Sequence, residues 1–143
     1  MKELAIVILN YNGKKLLQQF LPSVISHSDE ASVYVIDNKS EDDSIDWLET
    51  HYNDQLTIIP LAENHGFAGG YNEGLNQINE PYWCLLNSDV RVTENYTVRP
   101  LKLLKEHADI AAVQPKIKSD RYPDFLEYAG AAGGFLDYLG YPF

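Results

Sequence analysis

The chain is short of cysteine, of clustered positive charge and of long apolar runs, and each shortage removes a class of protein. Cys84 is the single cysteine in 143 residues, which excludes a disulfide framework and a cysteine zinc site. So little cysteine suits a reducing compartment. Eleven Lys and Arg stand against 21 Asp and Glu, a formal net charge of −10. No Lys/Arg cluster interrupts that acidity, so a nucleic-acid backbone is a poor partner and a polybasic membrane patch is missing. No apolar run approaches the roughly 20 residues of a membrane helix. Met1-Lys2-Glu3 leads straight into a short strand, too short for the core of a secretory signal. The expectation is a soluble, cytoplasmic chain without a transmembrane segment, if membrane-associated then peripherally at the inner face. The four histidines, His27, His51, His65 and His107, show no H-E-x-x-H or paired spacing. No Ser/His/Asp order stands out.

What is present is enough for a real core: 45% of residues are hydrophobic and 12% aromatic. Apolar runs at Leu4–Leu9, 32–37, Leu56–Ile59 and 82–87 read as strands, the last, with five apolar or aromatic residues in a row, as one buried on both faces, and Ile110–Val113 reads as a fifth. Leu16, Leu17, Phe20, Leu21, Val24 and Ile25 fall at helical spacing, with Pro22 expected to kink that helix or mark its restart. A second helix follows from about Asp43, with Ser40 or Asp42 as its cap. A third opens at the glycine-rich segment 64–74. A fourth carries Pro100 in its first turn and runs to His107. Alternating strands and helices imply an α/β fold, a mostly parallel sheet flanked by helices. The chain suits a single domain, residues 1–143. Its end, from Phe135 to Phe143, is aromatic and apolar. That suggests a domain continuing beyond it, or self-association through the tail as a homo-oligomer.

Three strands release polar residues at the same end: Asn10-Tyr11-Asn12, Asp37-Asn38 and Asn87-Ser88-Asp89. In open α/β sheets ligands bind at the carboxyl ends of the strands. Asp89 is a hard oxygen ligand for Mg2+ or Mn2+, which take one or two carboxylates and complete their shell with phosphate and water. A chain of this acidity would repel a diphosphate, with only Lys14, Lys15, Lys39 and Arg91 near the rim, and a divalent ion removes the conflict. A turn or capping role for Asp89 remains the alternative. Asp37 could accept a hydrogen bond from a base or cap its own loop. Tyr11 could stack on a base or pack on the neighbouring helix. The glycine segment lacks both the dinucleotide fingerprint and a Walker motif. It could meet an anion at its helix start, or allow close helix–sheet packing. A receiver-type signalling domain would need an acidic pair after the first strand, where Asn10-Tyr11-Asn12 stands instead.

Asn10-Tyr11-Asn12-Gly13, Asp37-Asn38-Lys39-Ser40 with Asp43-Ser44, Asn64-His65-Gly66-Phe67-Ala68-Gly69-Gly70-Tyr71-Asn72 and Leu85-Leu86-Asn87-Ser88-Asp89 together resemble glycosyltransferase family 2, in particular its rhamnosyltransferase-like branch. The resemblance covers residues 3 to about 118 and continues more loosely to the end. It implies a GT-A, Rossmann-like fold, with a donor half (1–118) and a partial acceptor region (119–143). It implies inverting transfer of a hexosyl-type sugar from a nucleoside diphosphate, UDP- or dTDP-linked, to a glycan or lipid-linked acceptor in polysaccharide biosynthesis. By the same resemblance Tyr11 lies against the pyrimidine and Asp37 binds its ring N–H. Asn64, Gly69 and Asn72 line the donor pocket, joined by Asn10, Asn12, Asn38, Gly66 and Asn87. Ser88 sits near the ribose, and Asp89 binds the metal. The family's Asp-x-Asp stands here as Asn87-Ser88-Asp89. Inversion needs a general base, which the resemblance places beyond Phe143. A nucleotide-sugar-binding module without that base is the alternative.

Overall fold

The structure is a computed structural model in which residues 2–127 and Tyr138 are described. It falls into two units, Met1–Glu94 and Asn95–Phe143. The first holds a four-stranded parallel sheet: β1 (Leu4–Asn10), β2 (Ala31–Asp37), β3 (Thr57–Pro60) and β4 (Tyr82–Leu86), in the order β3-β2-β1-β4. Helices α1 (Lys14–Ser26), α2 (Ser44–Tyr52) and α3 (Gly66–Leu75) make the crossovers.

The order explains where the helices lie. From β1 the chain steps outward to β2 and β3, then returns past β1 to place β4 on its other side. Crossovers of one hand therefore put α1 and α2 on one face and α3 on the other. Contacts bear this out through the strand alternation. Asn10 bonds Ser44 at the start of α2, whereas Leu9 and Ile36 lie under Gly70 and Gly74 of α3. Ala5, Val7, Ile36, Ile59, Tyr71 and Ile78 form the core of the α3 face. Ile6, Ile8 and Val35 point the other way, and α1 and α2 bury Leu17, Phe20, Leu21, Val24 and Leu48. Of the residues read at helical spacing in α1, Leu17, Phe20, Leu21 and Val24 are buried and Ile25 partly so, whereas Leu16 is 40% exposed and lies off the inner face. The helix continues through Pro22 as one element, with that proline exposed.

Gly74 makes the α3 contact possible. A Cβ there would lie 2.2 Å from Ile36 Cδ1 and 2.5 Å from its Cγ1, and Ile36 is fully buried. Gly74→Ala should therefore destabilise the chain by about 1–3 kcal/mol through overpacking, despite the higher helix propensity of alanine. Urea unfolding measures it; an unchanged or raised midpoint would contradict the close approach.

Two expectations are corrected. The run 82–87 was expected to be buried on both faces, but β4 is an edge strand, and Trp83 and Leu85 are 48% and 53% exposed. Cys84 between them is partly buried, enough to push its thiol up to about 11. Ile110–Val113 forms no strand among the described residues. It follows a turn closed by Ile110 N–H to His107 O at 3.1 Å and is soon met by Pro115, which has no N–H to offer a ladder. The second unit instead contains α4 (Val98–Glu106) and an isolated antiparallel bridge, Lys118 to Leu126. Pro100 lies in the first turn of α4, as expected. Residues 128–137 and 139–143, including Asp137 and nearly all of the apolar tail, lie outside the described residues. No described helix is long and apolar enough to cross a membrane.

Candidate functional site

The reversal in strand order falls between β1 and β4. A crevice opens at such a switch point, outside the carboxyl ends of the strands. Asn10 pairs in register with Asp37, and Ile8 with Leu86, so the polar ends of β2, β1 and β4 stand side by side. Gly13 joins β1 to β4 here: a Cβ on it would lie 2.5 Å from Asn10 Oδ1 and 3.9 Å from Ser88 Oγ.

Asn10 and Asp37 are buried, 0% and 1% exposed. Asn10 Nδ2 donates to Asp37 Oδ1 and Ser44 Oγ, both at 2.9 Å, with Ser40 Oγ a third acceptor at 3.1 Å. Ser40 donates from its hydroxyl to Asp37 Oδ1 at 2.6 Å and from its N–H to Asp37 Oδ2 at 2.9 Å. Three protein donors thus reach the Asp37 carboxylate. Of its roughly four lone-pair directions, one on Oδ2 has no donor among the described residues. Asn10 Oδ1 has no partner, the one such buried side-chain atom among the described residues.

Asn12 extends the network outward. Its backbone is left-handed, φ 52°, a conformation asparagine tolerates. Its Oδ1 accepts the N–H groups of Glu41 and Asp42 at 2.7 and 3.2 Å. Asp42 accepts from the Ser44 hydroxyl and N–H and from Lys14 N–H. Asp43, the residue before α2, makes no side-chain cap; the expected capping by Asp42 takes the form of its bond to Ser44 N–H. Burial pulls the Asp42 carboxyl up, but those hydrogen bonds outweigh it and hold the group below its ordinary value. Asp43 is lowered by the hydrogen bond from the Lys14 ammonium.

A depressed folded pKa means that the unfolded chain binds more protons near that pH, so the contribution is complete above the unfolded value near 4 and fades as the pH falls through the folded one. Asp42→Asn should therefore lower the urea midpoint at pH 7, and the gap to wild type should narrow progressively as the pH is taken down through and below the ordinary carboxylate value. A constant gap between the two proteins would exclude the titration.

On the α3 face Asn38, 3% exposed, shapes the glycine-rich segment. Its Nδ2 donates to Asn64 Oδ1 at 3.0 Å and Gly66 O at 2.9 Å, and its Oδ1 accepts His65 N–H at 3.0 Å. Gly66 takes φ 70°, and Gly70 approaches Leu9 and Asn38 too closely for a side chain. Close packing and an open helix start are therefore both present. Asn64, Gly66 and Asn72 are exposed, and Gly69 is partly so.

Tyr11 is 51% exposed. Asn87 and Asp89 are exposed and Ser88 is half-buried in the turn after β4. Among the described residues, Asp89 makes no hydrogen bond or ion pair. No cluster of three acidic, histidine or cysteine side chains that could cage a metal occurs among the described residues. A single unengaged carboxylate fits an ion that takes the rest of its shell from diphosphate and water. An open pocket of about 380 Å³ is lined by Asn12, Gly13, Lys14, Lys15, Leu16, Asp42 and Asp43. It lies beside the strand ends and includes neither Asp37 nor Asp89. Of the four cations expected near the rim, Lys14 pairs with Asp43 and Arg91 lies over the Phe20 ring. The roles of Ser40 and Ser44 were missed in the sequence, where 38–44 reads as a loop leading to a cap. A buried Asp37 needing donors was the only available signal.

A parallel α/β sheet with a polar rim at its switch point is the architecture of GT-A glycosyltransferases, and solved structures share it. S. aureus TarS 1-349 in complex with UDP-GlcNAc matches with a TM-score of 0.64 at 21% identity, over 83% of this chain and 39% of that one. The mannosyltransferase PcManGT from Pyrobaculum calidifontis, in complex with GDP-Man and Mn2+, matches with a TM-score of 0.61 at 20% identity, over 80% and 33%. The chain belongs to glycosyl transferase family 2, whose family model matches residues 5–130. Among curated proteins it is similar to the low-salt glycan biosynthesis hexosyltransferase Agl10 of Haloferax volcanii, 25% identical over 119 residues. That match covers 80% of this chain and 36% of Agl10, so the chain spans little more than a third of its curated relative.

Proposed function

We propose that the chain carries the donor-binding part of an inverting, metal-assisted glycosyltransferase. The observation that carries this reading is the alignment of Tyr11, Asp37 and Asp89 on three adjacent strand ends at the switch point, within a family match spanning residues 5–130. In this reading Tyr11 stacks on the base, and the remaining lone pair of Asp37 accepts a pyrimidine ring N–H. Asn10 and Ser40 hold that carboxylate in place. Asn12 and Asn38 brace the loops on either side. Asn64, Gly66, Gly69 and Asn72 line the sugar-diphosphate side, and Asn87 and Ser88 approach the ribose. Asp89 would hold Mg2+ or Mn2+, whose Lewis acidity stabilises a departing diphosphate. The donor is a uridine or deoxythymidine diphosphate hexose, rhamnose included. The acceptor is a glycan or a lipid-linked saccharide, reached from the cytoplasmic side. The general base is assigned to none of the described residues.

Calorimetric titration with UDP, dTDP and GDP, each with and without Mn2+, tests the reading. Preferential, metal-enhanced binding of the pyrimidine diphosphates is expected. Equal binding of GDP would remove the role given to Asp37, and no binding at all would end the proposal. Sugar transfer from a UDP-linked donor separates an enzyme from an inert nucleotide-sugar-binding module.

A further inference from the structure

The turn bearing Asp89 is fastened to α1 at two points. Beyond Ser88 and Asp89 the chain has no regular structure until α4. Left alone, such a segment would sample many conformations, and ordering it costs about 1–2 kcal/mol per residue. Val92 N–H donates to Ser23 Oγ at 3.3 Å, and the Arg91 guanidinium sits 5.3 Å over the Phe20 ring. Val92 is buried, 6% exposed, while Asp89 and Thr93 on either side are open to solvent. Phe20 and Ser23 are three residues apart and share one face of α1. The Ser23 hydroxyl spends its single hydrogen on Phe20 O at 2.8 Å. That commitment turns its lone pairs outward, where they can only accept, and Val92 N–H supplies the donor.

A metal held by one protein carboxylate is sensitive to where that carboxylate sits, since no second protein ligand corrects an error. We propose that Ser23 is a positioning residue for Asp89: by anchoring Val92 it fixes the turn three residues upstream, so that Asp89 meets a metal already bound to diphosphate. The contact of Arg91 with Phe20 is the second strut of the same brace. This inference rests on Asp89 as the metal ligand.

The test compares wild type, Ser23→Ala, Ser23→Thr and Asp89→Ala, titrating UDP with and without Mn2+ and recording the urea midpoint of each. For Ser23→Ala the metal-free affinity should stay within about twofold of wild type, while the affinity gained on adding Mn2+ falls about fivefold, the worth of one ordinary hydrogen bond. Ser23→Thr, which keeps the hydroxyl, should restore the gain. A purely structural role would lower metal-free and metal-bound affinity alike and would overturn the proposal. So would a metal gain lost in Asp89→Ala but untouched in Ser23→Ala, which leaves the ligand assignment standing. A metal gain that survives Asp89→Ala, or is absent from wild type, removes the ligand assignment and this inference with it.

Discussion

Asp89→Ala should abolish the metal-dependent part of nucleotide binding. The expected loss in Mn2+-dependent affinity for UDP is at least about 100-fold, because changes even one shell further from a metal cost roughly 10–100-fold. The reason is the thinness of the site. No acidic cluster stands behind Asp89 among the described residues, so none of them supplies a ready replacement. The urea midpoint should not move, since Asp89 is exposed and surface changes of that kind stay within about 0.5 kcal/mol. Titration of the variant with and without Mn2+ decides the matter. An equal loss in the absence of metal would make Asp89 a direct nucleotide contact. Undiminished metal dependence would dismiss it from the site.

The carboxylate on the next strand but one should behave in the opposite way. Asp37→Ala is expected to cost roughly 3 kcal/mol of stability, because each buried donor left without an acceptor costs about 1–3 kcal/mol. The donors stranded are Asn10 Nδ2, the Ser40 hydroxyl and Ser40 N–H. Asn10 retains Ser44 and Ser40 as partial replacements, which keeps the figure toward the lower end of their sum. A total stability of about 5–15 kcal/mol leaves such a variant folded, and its urea midpoint can be compared with that of Asp54→Ala, an exposed control. A fall no larger than the control's would show that the network adds nothing to stability. Of two acidic residues at the carboxyl ends of strands in one sheet, one is thus expected to act on ligand and the other first on the fold.

That difference was not legible in the chain. Asp37 and Asp89 each end an apolar run with a carboxylate, and by pattern they are equivalent. Burial separates them, and burial depends on strand order: β2 is interior, flanked by β1 and β3, while β4 is the edge. Trp83 and Leu85 carry the same lesson, since five apolar residues in a row do not reveal whether a helix will cover the face of the strand, and α3 packs mainly on β1 and β2. Ile110–Val113 is as apolar as a real strand, but local turn chemistry and Pro115 leave it unpaired. The partners of Asn10 lie some thirty residues away in a stretch that reads as loop, and Val92 meets Ser23 across 69 positions. Short-range patterns hold no record of such pairs.

Periodicity and composition sufficed for the α/β class, for three crossover helices and most of the inner face of α1, and for the polar rim where Tyr11 and Asp89 stand. Those properties follow from local rules, the two-residue alternation of strands and the 3.6-residue turn of helices, which act on neighbours in the chain. Folding alone decided which strand is the edge, which carboxylate is enclosed, why Gly13 and Gly74 must be glycine, and how α1 grips the Asp89 turn. Each of these is set by contact between residues distant in the chain, and such contacts exist only once the sheet has chosen its order.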